Sequence, residues 1–369
     1  MATAHSISDI ASRQPQGLAA QGLRRDPERR PCVSVILPVF NEARFIEATV
    51  HCLLDQSANS FDLEILVIDG ESTDGTANKV SRIVQTDKRV KLLRNPQRRT
   101  PSAFNIGLGV AKGEYVCIFG AHAVYPKDYI SICLAELMAR GATGCSGRIT
   151  TIPVDETLQA RLAAWTLGHP FASSGRSVRT RSEGFVDTIP FPVMVRQALL
   201  DVGQFNEALV RNQDNDMCQR LRANGHKLFL TGKTQCSYYA RSDIKALVNY
   251  AFRTGFWNAI SARRNLASMA IRHFAPLFFV SILIILFAIA AISALIQKNY
   301  AAIALAGALL ILGSHLCLGL LAGIQMWVRE RDIRAILLPL VILVFHVAYG
   351  LGTLFGGLKG LKRAAISQV

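Results

Sequence analysis

Val33-Ser34-Val35-Ile36-Leu37-Pro38-Val39-Phe40-Asn41-Glu42, followed twenty residues on by Leu63-Glu64-Ile65-Leu66-Val67-Ile68-Asp69-Gly70-Glu71-Ser72-Thr73-Asp74-Gly75-Thr76, is the part of this chain that decides its fold. Both segments begin as short apolar runs rich in β-branched residues. The stretch between them, Arg44 to Leu54, has helical spacing, with Phe45, Val50, Leu53 and Leu54 able to share one face. Strand, helix and strand in that order make a βαβ unit with buried parallel strands. Each run stops at polar residues, Asn41 and Glu42 after the first and Asp69 to Asp74 after the second. Ligands of open α/β sheets bind at such carboxyl ends. Ser72, Thr73 and Asp74 can cap the helix that follows, whereas Asp69 stands at a strand end with no obvious structural partner. Two acidic clusters and no glycine-rich loop suggest a nucleotide pocket of another kind.

Leu37-Pro38-Val39-Phe40-Asn41-Glu42 together with Ile68-Asp69-Gly70-Glu71-Ser72-Thr73-Asp74-Gly75-Thr76 resembles the inverting family 2 glycosyltransferases, and the wider pattern, from Val33 to Trp257, resembles their succinoglycan-type bacterial exopolysaccharide branch. The resemblance implies an α/β fold: a GT-A nucleotide-sugar-binding domain, a Rossmann-like mixed sheet, followed by C-terminal transmembrane helices. It also implies that Asp69 accepts a hydrogen bond from the nucleotide base, with Pro38, Val39, Phe40, Glu42 and Ser72 lining the same pocket.

Family members close the fourth strand with an Asp-x-Asp-like motif that holds a divalent cation, Mg²⁺ or Mn²⁺, against the donor's diphosphate. Here the chain reads Phe119-Gly120-Ala121-His122-Ala123. Gly120 and His122 stand where the two carboxylates would be, with Ala121 between them. His122 could ligate a transition metal through its imidazole or hydrogen-bond the phosphate directly; otherwise the site has lost this function. Metal dependence is therefore in doubt. Arg98 and Arg99, in the loop after the third strand (Val90 to Leu93), could meet the diphosphate, because guanidinium forks match phosphate oxygens. A second arginine-bearing loop, Ala172 to Gly184 with Arg176, Arg179 and Arg181, has the composition of a segment lying over a phosphate-bearing ligand.

Inverting transfer needs one base to take the proton of the acceptor hydroxyl. Relatives carry an acidic pair at the start of a late helix, and here Leu209-Val210-Arg211-Asn212-Gln213-Asp214-Asn215-Asp216 opens such a helix. The resemblance points to Asp214 as base, with Asp216 next; either acid would also suit the dipole of a helix N-terminus. Val186 to Phe191 resembles the acceptor-side strand. Phe252-Arg253-Thr254-Gly255-Phe256-Trp257 is a reduced form of the family's Gln-x-x-Arg-Trp region, which implies that Arg253 and Trp257 lie near the diphosphate on an interfacial helix.

The 369 residues carry 41 Lys+Arg against 26 Asp+Glu, a net charge of +15, and are 50% hydrophobic. Such a charge suits an anionic partner: a lipid surface or a nucleotide sugar. No nucleic-acid motif is present. The eight cysteines form no CxxC pair, which argues against a disulfide frame or zinc site and for a reducing compartment. The apolar surplus lies after residue 273. Phe274–Ile296, Asn299–Val328 and Ala335–Leu358 are free of Asp, Glu, Lys and Arg, and each meets the ~20 residues that span a bilayer. The basic stretch before Phe274 and the loop 329–334 should face the cytoplasm. A third full span would then place Lys359, Lys362 and Arg363 outside, although Pro339 and the glycines at 350, 352, 356 and 357 leave room for a broken segment.

The expected organisation is a flexible basic tail (1–31), a GT-A domain (32–240), a basic juxtamembrane segment (241–273), about three transmembrane helices (274–358) and a C-terminal tail (359–369). The expected protein is a multi-pass enzyme of the bacterial inner membrane with its catalytic domain cytoplasmic. It would move a sugar from a nucleotide-sugar, a UDP-sugar in the first instance, to a polyprenyl-diphosphate-linked saccharide for exopolysaccharide, alongside polysaccharide assembly partners. Two alternatives stay open: transfer to polyprenyl phosphate itself, and a catalytically silent nucleotide-binding scaffold.

Overall fold

The computed structural model describes residues 30–56, 60–121, 123–173, 179–264, 266–296 and 300–366; the tail expected over 1–31 falls almost wholly outside them. Strand β1 (Cys32–Val39), helix α1 (Ile46–Leu54) and β2 (Asp62–Asp69) form the expected βαβ unit, continued by α2 (Thr76–Thr86), β3 (Val90–Arg94), α3 (Thr100–Val110) and β4 (Tyr115–Ile118). β1 pairs in parallel with β2 and β4, and β2 with β3. The pleat sends alternate residues to opposite faces. Val33, Val35 and Leu37 join Ile65 and Val67 in one core, while Ile36 joins Leu66 and Ile68 in another on the far side of the sheet. Helices therefore cover both faces, and both strands are apolar at most positions, with Ser34 Oγ donating to the buried Glu64 carboxylate between them.

The second half of the domain adds β5 (Ala123–Val124), α4 (Tyr129–Ala139), β6 (Gly144–Ile152), α5 (Leu158–Gly168), the short α6 (Pro170–Ser173), β7 (Gly184–Phe185), β8 (Val193–Val195), α7 (Arg196–Asp201), α8 (Gln213–Ala223) and β9 (Leu228–Tyr239). The main path through the nine-stranded sheet runs β3-β2-β1-β4-β8-β6-β9-β5, with β7 on β9. Antiparallel pairs at β4–β8 and β6–β8 make it mixed.

Val186–Phe191 is not the strand its resemblance implies. Pro190 and Pro192 lack the amide hydrogens a ladder needs, and Phe191 has φ +45°, so pairing with β4 begins only at Val193.

Past β9 come α9 (Ile244–Arg264), α10 (Ala275–Leu295), α11 (Tyr300–Glu330) and α12 (Leu338–Ile366). Three segments, Ile271–Leu295, Tyr300–Glu330 and Ile333–Lys359, are long and apolar enough to cross a membrane. α10 and α11 leave Phe278, Ile285, Ile303 and Leu310 exposed, as expected of surface turned to lipid. The helices also pack on the α/β half: Leu162 and Trp165 of α5 cluster with Ala322 and Met326 of α11 and with Leu338 and Ile342 of α12. Among the described residues, none of the eight cysteines forms a disulfide.

Candidate active site

The carboxyl ends of three parallel strands are level, since Val39 is in register with Asp69 and Asp69 with Arg94. The loops leaving them are sewn together by side chains. Asn41, at φ +56°, receives the Thr73 amide on its Oδ1 (2.9 Å) and donates its own amide to Ser72 Oγ (2.9 Å). Glu42 and Ala43 donate their amides to Thr76 Oγ1 and Asp74 Oδ2.

Asp69 does have a structural partner, contrary to the expectation from sequence. Its two oxygens accept from the Ser72 amide (3.0 Å) and the Ser72 hydroxyl (2.5 Å), and the residue is buried. This is an Asx-type turn, which the Asp-x-x-Ser spacing would have allowed. The pair fixes the loop and spends Asp69 acceptor capacity on it. Phe40 projects from the loop after β1, half exposed, while Val39 at the end of β1 is core. Arg98 is taken by Glu71, whose Oε2 accepts from Arg98 Nη2 at 2.7 Å, and Arg94 holds the same carboxylate through Oε1.

The end of β4 is built of aromatic rings. Phe119 and Tyr125 stack at 4.1 Å, with Tyr129 and Phe191 edge-on to Tyr125. The Gly120 amide donates to the Tyr125 hydroxyl (3.0 Å), which returns a bond to the Gly120 carbonyl (3.2 Å). A Cβ at Gly120 would stand 3.3 Å from the Phe191 ring. Ala121 is buried, and its carbonyl accepts from Thr49 Oγ1. His122 lies outside the described residues. Gly120 and Ala121 bring no carboxylate, and among the described residues no group of three or more His, Cys, Asp or Glu is arranged to hold a metal. The described residues at this strand end therefore do not fit the usual carboxylate cation site.

A cavity of about 300 Å³ opens between this strand end and α8, with Pro38, Thr100, Gly120, Arg179, Gln213 and Asp214 in its wall and Phe104, Phe191 and Met217 among the apolar residues around them. It joins the nucleotide-side loop of β1 to the helix expected to carry the base. Asn212 enters α8 at φ +62° and donates from Nδ2 to Asn258 Oδ1 (2.8 Å) of α9, so the start of α8 is held by the helix beyond the sheet. The Asn215 amide donates to Asp214 Oδ1 (2.9 Å). Asp214 opens to the cavity and solvent reaches it, yet close-packed protein around it desolvates the carboxyl. That desolvation raises its pKa above the usual aspartate range, against the pull of two amide hydrogen bonds and the Arg211 charge.

Asp216 faces the other way. It is buried, and its Oδ2 accepts from Arg220 Nε at 2.9 Å, while Arg220 also donates to the carbonyls of Val202 and Gln204.

Of the residues expected at the site, Pro38 of the donor pocket and the expected base Asp214 line the cavity. Asp69, Glu42, Ser72 and Arg98 belong to the loops at the neighbouring strand ends. Arg253 is exposed on α9 and Trp257 packs on Phe256; neither is in the cavity wall. Arg179 is in that wall, its Nη1 bonded to Thr151 Oγ1 (2.9 Å) and its guanidinium 4.7 Å from the centre of the Tyr238 ring. Sequence marked its loop as basic but did not single it out from Arg176, which is outside the described residues, or from Arg181.

Residues 34–202 match the family described as Glycosyl transferase family 2. Over 321 residues, 86% of this chain and 92% of the relative, the chain is 27% identical to the succinoglycan biosynthesis protein ExoA of Rhizobium meliloti (strain 1021). Over 340 residues, 89% of this chain and 98% of the relative, it is 25% identical to the dolichyl N-acetyl-alpha-D-glucosaminyl phosphate 3-beta-D-2,3-diacetamido-2,3-dideoxy-beta-D-glucuronosyltransferase of Methanococcus voltae. Among solved structures, the mannosyltransferase PcManGT from Pyrobaculum calidifontis, in complex with GDP-Man and Mn²⁺, superposes with a TM-score of 0.57 at 19% identity, over 89% of this chain and 88% of that one; that likeness speaks for the fold. Motifs, sheet and relatives agree: residues 34–202 match a family 2 glycosyltransferase domain, and the sheet has the GT-A fold.

Proposed function

We propose that the protein is a membrane-anchored inverting glycosyltransferase that moves a sugar from a nucleotide-sugar, a UDP-sugar foremost, to a polyprenyl-phosphate-linked or polyprenyl-diphosphate-linked saccharide during exopolysaccharide synthesis. The observation that carries this reading is the position of Asp214, on the first turn of α8, in the wall of the cavity that also holds Pro38 and Gly120. The acceptor hydroxyl oxygen forms a bond to the anomeric carbon, the bond from that carbon to the nucleotide's β-phosphate oxygen breaks, and Asp214 takes the hydroxyl proton. The nucleoside diphosphate leaves with the bonding pair, and the configuration at carbon inverts. A carboxylate whose pKa is raised by desolvation holds that proton better than an ordinary aspartate does.

The printed name of the Methanococcus voltae relative describes transfer to a sugar already carried on a dolichyl phosphate, and three helices able to cross a membrane suit an acceptor confined to a bilayer. Anchoring places enzyme and acceptor in one plane. The solved neighbour carries Mn²⁺, a cation for which Gly120-Ala121 here supplies no carboxylate. No step above is routed through it.

The silent-scaffold reading has one observation in its favour, the lack of a carboxylate at Gly120-Ala121. Full-length protein in nanodiscs, given a panel of UDP-sugars and GDP-mannose with Mn²⁺, Mg²⁺ or chelator, separates the two. Transfer that falls at least about a hundredfold in Asp214→Asn is the expected outcome. Nucleotide binding without turnover on any donor and acceptor supplied would put the scaffold in its place.

A further inference from the structure

A second cavity, of about 460 Å³, meets the first at Arg179, which lines both. Its walls come from α5 and α6, from α9, and from α10 to α12. Phe171, Tyr250, Pro276, Phe279 and Phe345 make much of it apolar, and Arg179 and Arg272 bring two guanidinium groups. Arg272 approaches Asp187 at 4.0 Å, and no Asp or Glu is among the described residues lining the cavity.

Two further polar groups face each other across helices. His315 of α11 and His346 of α12 are hydrogen-bonded, Nε2 to Nδ1, at 2.9 Å. The Phe279 ring stacks on His315 at 4.7 Å, with Phe171 at 5.1 Å. That bond occupies Nδ1 of His346 and Nε2 of His315. The remaining nitrogen of His315, Nδ1, is buried with no hydrogen-bond partner, on a residue only 7% exposed. An unmet buried polar nitrogen among apolar helices is costly, and a ligand atom that met it would remove that cost.

We infer that this cavity seats the phosphate-bearing end of the lipid-linked acceptor. The phosphate lies among Arg179, Arg272 and His315 Nδ1, and the first part of the polyprenyl chain lies along Pro276, Phe279 and Phe345. His315 answers either protonation state of the pair: its Nδ1 accepts from a P–OH, or, as imidazolium, donates to a phosphate oxygen while Nε2–H stays on His346. Guanidinium groups supply the fixed positive charge. The shared Arg179 puts the lipid's phosphate at the boundary of the cavity that holds Asp214, which is where the sugar carried on that phosphate must present its hydroxyl. This site rests on the glycosyltransfer reading above for its place in the reaction.

The test uses full-length protein in nanodiscs, with undecaprenyl phosphate as lipid probe and UDP as nucleotide probe, comparing the parent with Arg272→Ala, Arg272→Lys, His315→Phe and Asp214→Asn. Losing a charged hydrogen-bonding partner should weaken undecaprenyl phosphate binding about tenfold in Arg272→Ala and His315→Phe. Arg272→Lys should recover part of the loss, UDP affinity should hold within about twofold, and thermal melts should report folded protein. Asp214→Asn should bind the lipid like the parent. Lipid affinity unchanged in both Arg272→Ala and His315→Phe overturns the site, as does equal displacement of the probe by phosphatidylglycerol or by inorganic phosphate. Lipid affinity unchanged in both Arg272→Ala and His315→Phe, with transfer still lost in Asp214→Asn, would remove the lipid site and leave the transferase intact. The expected lipid binding with no turnover of any donor would do the reverse.

Discussion

Asp214 and Asp216 lie two residues apart on one helical turn, and their surroundings give them different work. Asp214 opens to the cavity with its charge disfavoured by desolvation, whereas Asp216 is closed off against Arg220. A raised folded-state pKa means that Asp214 lends stability below the carboxylate pKa of the unfolded chain and loses it as pH rises through the folded value. At neutral pH its charge is a cost to the fold. Asp214→Asn should therefore melt no lower than the parent at neutral pH, and the acidic limb of kcat/KM in the parent should lie above the ~3.9 of an ordinary aspartate. A limb at the ordinary value would remove the desolvated base. Asp216→Asn takes away a charged partner of Arg220 and should cost about 1.5–3 kcal/mol of stability, seen as a lower Tm, while the folded fraction keeps its donor KM. An unchanged Tm with turnover abolished would move the base to Asp216. Sequence narrowed the base to these two acids, because acid type and helix start are local properties. Resemblance put Asp214 first, but no local signal gave a physical reason for that order, because Arg220 meets Asp216 only once α8 is wound and packed. The same holds for Asp69 and Arg98, whose partners Ser72 and Glu71 are set by loop conformation, including the left-handed Glu71 at φ +62°.

At the scale of elements, α12 is long and apolar enough for the third span, yet it is far more buried in the protein than α10 and α11. Pro339 and the run of glycines suggested a break, but the helix is continuous from Leu338 to Ile366. Three of its glycines are contact points. A Cβ at Gly350 would collide with the Pro276 carbonyl of α10, and at Gly352 or Gly356 with the Phe252 or Phe256 carbonyl of α9. Small residues let helix backbones close on each other. Both parts of α12 lie against the α/β half: Leu338 and Ile342 on Leu162 and Trp165 of α5, and Gly352 to Gly357 along α9, where Arg263 donates to the Gly357 carbonyl. α9 in turn is bonded to Asn212 beside the site. A helix tethered to the catalytic half along that length does not lead to the far side of a bilayer. We predict that α12 lies along the base of the domain and that two helices, α10 and α11, span. A cysteine placed at position 366, in a variant with Cys317 replaced, should react with an impermeant maleimide from the same side as one placed at the exposed Arg253. Reaction from the opposite side would restore the third span. This reading also removes the conflict over Lys359, Lys362 and Arg363, which then stay on the side of the other basic residues.

Across the whole molecule, boundaries drawn on composition at residues 240 and 273 do not coincide with boundaries of packing. Ala163, Ala164 and Leu167 of α5 share a core with Leu247 and Ala251 of α9 and with Phe345 and Ala348 of α12. A fragment ending at Arg264 would expose these faces, together with Leu162 and Trp165, as one apolar patch. It should aggregate without detergent; a soluble, monodisperse fragment melting like the parent would show that the two halves are separable. The shared wall at Arg179 belongs to this scale as well, since two cavities meet there only because α5 to α12 are one body with the sheet.

What the sequence by itself determined is whatever is written locally: the βαβ unit in its apolar runs, the strand ends in the polar residues that stop them, the acidic helix start at Asp214, and the apolar surplus after residue 273. Periodicity and residue type carry that information within a dozen positions. Only the tertiary structure decided which polar groups are spent on each other, where α12 runs, and that His315 and His346, 31 residues apart, share one hydrogen bond beside a cavity. Those outcomes depend on register and packing between distant segments, and no single stretch of chain encodes the neighbour it will meet.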